Sequence, residues 1–190
     1  EITLPEDLSQ YDPQVYEAGK VYFEKMQADG VMNRDGKPSL YVYELTWRGQ
    51  AQSGLVALAS IEDYFNDVIK KHELTRPVKE EDRKTHVRVS SMIAEPVFFA
   101  YPAVDEMDAL VSEVQQGTPV YDFEAVDDVR HRLWVVDDEP TVDKMIELFA
   151  TKVPATYVAD GHHRTAAAAL VGQDLKNANP NHTGEEPYNY

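Results

Sequence analysis

The chain has 190 residues, 43% of them apolar and 27% charged, enough to bury a core as one large domain or two small ones. Its 34 acidic against 18 basic residues give a formal charge of −16, which argues against general affinity for nucleic acid or an anionic membrane. It has no cysteine, which excludes thiol catalysis, disulfides and thiolate metal sites and suits a cytoplasmic compartment; no apolar run approaches the ~20 residues of a membrane span.

In chain order, residues 1–12 read as extended or loose. Pro13 to Gln27 carries Val15, Tyr16, Val21, Tyr22, Phe23 and Met26 at helical spacing and stops at Asp29-Gly30, which predicts an amphipathic helix. Leu40 to Trp47 and Ser53 to Ser60, joined through Arg48-Gly49, predict a hairpin, and Ile61 to Lys71 returns to helical spacing. Pro77 suits the first turn of a helix running to about Met92. Pro96 to Tyr101 predicts a short buried strand, and Val104 to Val114 a helix closed by Gly117.

A strand–helix–strand–helix series follows: Arg130 to Val136, Thr141 to Ala150, Ala155 to Ala159, and an Ala-rich helix from about His162. This alternation predicts a mixed α/β (α+β) fold with a βαβα unit whose site lies at a strand end, behind an N-terminal helix–hairpin–helix region. The start at Glu1 and the end at PYNY read as cut, so one truncated domain is expected over 1–190. It would subdivide into an α+β part, 1–117, and a motif part, 118–190.

Two stretches carry the chemistry. VADGHHR, residues 158–164, places a glycine turn between strand and helix, and a helix start offers unpaired N–H groups and partial positive charge to an anion. Gly161 and Arg164 are the firmest members, since a guanidinium in the first helical turn matches phosphate geometry. Asp160 is either the helix N-cap or a group that holds magnesium or orients a histidine. His162 and His163 are adjacent, about 100° apart on a helix, so they do not chelate one metal together, and one of them suits acid–base or phosphate-binding work. A zinc site of Asp160, His162 and His86 is a further possibility.

The second stretch is a basic island, with seven of the eighteen Lys and Arg residues between Lys70 and Arg88. Lys71, His72, Arg76, Arg83 and His86 are candidate ligands for a small polyanion, and Lys79, Arg83, His86 and Ser90 share one helical face. The alternative is a solvated helix with i,i+4 ion pairs. Glu73, among these cations, either accepts a proton from a substrate hydroxyl or pairs with Lys70 or Arg76.

IKKHELTRPVKEEDR at 69–83, TYVADGHHRTAAA at 156–168 and YVYELTWRGQAQSGLVALASIEDY at 41–64 closely resemble the bacterial and archaeal family catalogued as domain of unknown function 1015. VADGHHRTAAA is also similar to the G-x-x-R turn of the ParB and sulfiredoxin superfamily, which includes nucleotide-binding partition proteins, sulfiredoxins and free-serine kinases. In that resemblance Gly161 and Arg164 match the motif glycine and arginine, and His162 stands where sulfiredoxins carry their reactive cysteine. The chain lacks that thiol, which excludes sulfiredoxin chemistry.

The resemblance implies a small-molecule kinase. This would be a nucleotide-dependent phosphotransferase acting on a small hydroxylated metabolite such as free serine, using ATP or ADP with Mg2+. Asp160, His162 and His163, which resemble the site of the serine kinases, and Glu73, which matches no motif of theirs, would be catalytic. A non-catalytic nucleotide-binding switch and a metal-dependent hydrolase are the alternative expectations. The expected partners are a nucleotide and a small-molecule substrate, with no nucleic acid and no membrane.

Overall fold

A computed structural model of the chain describes residues 8–190, in which six α-helices and two β-sheets make a mixed α/β fold. In chain order they begin α1 (Pro13–Ala28), β1 (Leu40–Trp47), β2 (Gln50–Val56), α2 (Ile61–Phe65), β3 (Ile69–Lys70) and α3 (Pro77–Ser90). There follow β4 (Phe98–Ala100), α4 (Asp105–Val114), β5 (Tyr121–Glu124), β6 (Arg130–Val136), α5 (Glu139–Lys152), β7 (Thr156–Asp160) and α6 (His162–Ala178). Contacts divide the chain into two units, each built from separated stretches. Glu1–Arg34, Ala59–Ala100 and Ala155–Tyr190 form the first; Asp35–Leu58 and Tyr101–Pro154 form the second.

The second unit is an antiparallel sheet in the order β2-β1-β6-β5, with two helices. Arg48 and Gly49 both take positive φ, 49° and 78°, as a tight hairpin turn demands. Strand alternation sends Val42, Trp134 and Val136 to one face, where Met107 of α4 and Met145 and Leu148 of α5 complete the core. Glu44 is buried on the same face, and it is held there by the Arg132 guanidinium, Gln115 Nε2 at 2.7 Å and Ser53 Oγ at 3.3 Å. A buried carboxylate is tolerable only with partners of this kind.

The first unit holds the candidate site. Its sheet runs β3-β7-β4, with β7 central, parallel to β3 and antiparallel to β4. Helix α6 buries Ala166, Ala167, Ala169 and Gly172, small residues that let neighbouring backbone come close. A Cβ at Gly172 would lie 2.3 Å from the Tyr188 carbonyl oxygen and 3.0 Å from Ile61 Cδ1. Helix α1 is tied to α3 by Tyr16, whose hydroxyl donates to Asp82 at 2.6 Å. Burial, with the Asp82 carboxylate beside it, pushes the Tyr16 phenol up to about 12.

Three expectations change, and one strand is new. The helix from Ile61 stops at Phe65, because Asp67 turns left-handed at φ 59° and releases Ile69 and Lys70 to pair with Thr156 and Tyr157. β4 is a sheet edge, and its Phe98 is exposed rather than buried. β5 was not foreseen; its side chains are all exposed, and Arg130 grips Asp122 across the strand pair. β6 and β7, successive strands in the sequence reading, belong to different sheets.

Alanine usually favours a helix interior over glycine by about 1 kcal/mol. Gly172→Ala should nevertheless destabilise the protein by about 1–3 kcal/mol in urea unfolding, because its methyl meets backbone. Because the folded phenol of Tyr16 titrates above the ordinary value of 10, its contribution is complete below pH ~10 and is lost as the pH rises through about 12. Thermal unfolding of Tyr16→Phe should therefore lose the part of the alkaline stability decline that the wild type shows in that window.

Candidate functional site

β7 ends at Asp160, and the chain turns at Gly161 with φ 98° and ψ 31°, a left-handed conformation that favours glycine. A Cβ there would also meet Val97 Cγ1 at 2.9 Å and Arg164 Nε and Nη2 at 3.2 Å. Glycine is thus required twice, for the backbone and for the space. The Gly161 carbonyl accepts from Thr165 N at 2.9 Å and from Thr165 Oγ1 at 3.0 Å, which closes the first turn of α6.

Gly161 is the N-cap residue, so Asp160 is not. The aspartate turns instead to Arg164, accepting from Nη2 on Oδ2 at 2.6 Å. The same guanidinium donates from Nη1 to the Pro96 carbonyl at 2.8 Å and lies 3.1 Å from Glu95 Oε2. The expected phosphate ligand is therefore a brace in this structure. It binds the end of β7 to the segment entering β4, and it fixes where Asp160, still 73% exposed, presents its other oxygen.

The paired histidines diverge. His163 Nε2 accepts the Arg76 backbone N–H at 3.0 Å, so the ring is neutral with its proton on Nδ1, and it latches the turn to the residue that starts α3. His162 is buried, with Nδ1 3.7 Å from Glu73 Oε2 and its ring edge-on to His72, centroids 4.4 Å apart. Its Nε2 is buried without a hydrogen-bond partner.

These groups line a cleft of about 670 Å3 shared with Lys79 and Arg83 of α3. Neither cation has an ion-pair partner among the described residues, and Glu73, 60% exposed, is paired with neither Lys70 nor Arg76. Most of the basic island is engaged elsewhere. Lys71 donates to the Tyr64 carbonyl at 2.6 Å and lies over its ring, and Lys70 pairs with Asp67. Lys84 pairs with Glu81 and Arg88 with Asp174.

His86, expected among the phosphate ligands, packs edge-on against Tyr16 of α1 and does not line the cleft. Arg76 contributes its main chain to His163, and its side chain is not among the lining groups. No three His, Asp or Glu side chains among the described residues are grouped to hold a metal, so the Asp160–His162–His86 zinc site is not formed. Sequence reasoning missed Glu95; nothing local marks it, because its role comes from Arg164, distant in the chain.

A family model described as protein of unknown function (DUF1015) matches residues 1–190. The chain belongs to that family. No curated protein and no solved structure matches it. Membership of DUF1015 takes in the whole chain, including the Gly161 turn and α3. Among the described residues of this DUF1015 protein, no helix is long and apolar enough to cross a membrane.

Gly161→Ala should cost about 1–3 kcal/mol in chemical denaturation, since it combines a strained φ with a clash at Val97. Arg164→Lys should cost about 1–2 kcal/mol, because a single ammonium cannot reproduce the fork that reaches Asp160 and Pro96 together.

Proposed function

We propose that this protein is a nucleotide-dependent phosphotransferase acting on a small hydroxylated metabolite, with ATP or ADP and magnesium as cofactors. One observation carries the reading: the start of α6, the carboxylates of Glu73 and Asp160, and the cations Lys79 and Arg83 line a single cleft. Phosphoryl transfer needs little beyond positioning and charge neutralisation, and this set supplies both.

The phosphates lie against Lys79, Arg83 and the free N–H groups of the first turn of α6, where the helix dipole favours negative charge. Arg164 acts one step removed, holding Asp160 in place. A lone protein carboxylate shared with phosphate oxygens suits magnesium better than zinc, and Asp160 is the residue that would hold it. When bound, the ion supplies charge neutralisation at the phosphates. Glu73, exposed to the cleft, accepts the proton of the substrate hydroxyl.

The resemblance of Gly161 and Arg164 to the G-x-x-R turn of the ParB and sulfiredoxin superfamily supports the nucleotide part of this reading, and the serine kinases within it suggest an amino acid with a hydroxyl side chain as substrate.

Isothermal titration of the full-length protein with ATP and magnesium should show saturable binding. Lys79→Ala combined with Arg83→Ala should weaken it by about tenfold or more. Glu73→Gln should lower turnover far more than binding. Absence of binding to ATP, ADP and CTP in magnesium buffer overturns the reading. A protein that binds nucleotide and keeps its output in Asp160→Asn and Glu73→Gln is a binding switch instead.

A further inference from the structure

His162 Nε2 is the one buried side-chain nitrogen or oxygen without a hydrogen-bond partner among the described residues. The side chain is 6% exposed, and this nitrogen has no hydrogen-bond partner. Leaving a buried polar atom unpaired costs about as much as losing a hydrogen bond, so such an atom in a native site calls for a partner, whether a water, a ligand or a reacting group. His162 is the first residue of α6 and is among the residues that line the cleft with Lys79 and Arg83. The Glu73 carboxylate, 3.7 Å from Nδ1, favours the tautomer with its proton on that nitrogen. Nε2 is then a bare lone pair, buried, with a carboxylate 3.7 Å from the other nitrogen of its ring, on a residue that lines the cleft with Lys79 and Arg83. Closing that 3.7 Å gap to a hydrogen bond would complete the pairing of a nucleophile with its orienting group.

The neighbouring candidates are already committed. His163 Nε2 accepts the Arg76 N–H, and Asp160 Oδ2 accepts from Arg164. His72 is exposed and rests its ring edge-on against that of His162.

We propose that His162 Nε2 is a phosphoryl acceptor, forming a phosphohistidine between nucleotide and substrate; this rests on the phosphotransferase reading above. Nε2 attacks the γ-phosphorus of ATP, the bond from that phosphorus to the β,γ-bridging oxygen breaks, and ADP leaves with the electron pair. The Nδ1 proton stays on the ring, facing Glu73 Oε2. In the second transfer the substrate hydroxyl oxygen attacks the phosphorus, the N–P electron pair returns to Nε2, and the hydroxyl proton passes to the other oxygen of Glu73.

The test needs no knowledge of the substrate. The full chain is incubated with γ-labelled ATP and magnesium in the absence of any acceptor and quenched in alkali. The expected label is stable in base, released by mild acid, gives the phosphorus resonance of an N–P bond, and maps to the peptide carrying His162. His162→Gln should reduce it by about tenfold or more, and Glu73→Gln should slow its formation by about tenfold. His131→Gln, on the sheet of the other unit, should keep it.

Because the wild-type adduct is identified by its own chemistry, the proposal does not depend on whether His162→Gln folds. Label that survives hot acid, label that maps elsewhere, or no label on a protein that calorimetry shows to bind ATP overturns this proposal alone. A protein that binds no nucleotide overturns both it and the reading beneath it.

Discussion

The Arg164 guanidinium is the joint on which the candidate site depends. One planar group reaches the last residue of β7, the acidic residue Glu95 and the Pro96 carbonyl. It can do so because the absent Cβ of Gly161 leaves it room. The turn that emerges places His162 inward and His163 toward the entry of α3, so two adjacent residues of identical chemistry acquire opposite environments. The cation is paired with its own acidic partners, whereas Lys79 and Arg83, which line the same cleft, have no ion-pair partner among the described residues.

Helix α3 shows why an almost wholly polar helix can be stable. Its side chains divide among different neighbours rather than forming one apolar stripe and one wet face. Lys79 and Arg83 line the cleft, Asp82 and His86 meet Tyr16 of α1, and Arg88 reaches Asp174 of α6. Each contact is polar, directional and partly exposed, and each contributes modestly. Charge counting alone merges these roles into a single basic island in an acidic protein.

The β7–Gly161–α6 turn was legible in the sequence because strand, glycine and alanine-rich helix punctuate strongly and locally, and α1 and the β1–β2 hairpin were legible for the same reason. Features made by distant partners were not. β3 is two residues long and exists only because β7 lies beside it. β5 has no buried side chain to announce it. The commitment of Arg164 to Glu95 and Pro96, and the withdrawal of His86 to α1, depend on pairings far apart in the chain that no spacing rule encodes. The family assignment was legible, since extended strings such as KKHELTR and DGHHR are specific, whereas the chemistry of the cleft depends on which atoms are left without partners.

The interleaving of the two units bears on the order in which the protein is made. Every residue of the second unit, the last being Pro154, precedes β7 in the chain. β7 is the middle strand of the first unit's sheet, and among the described residues neither β3 nor β4 has another strand to pair with. During synthesis the four-stranded sheet and its helices can therefore close while β3, α3 and β4 still wait for residues 156–160. The cleft is the last part of this stretch to assemble, so a nascent chain passes through a stage with one finished unit and no site. Arrest or truncation before residue 155 would leave the residues of the second unit complete and the first unit without its central strand and the DGHHR turn.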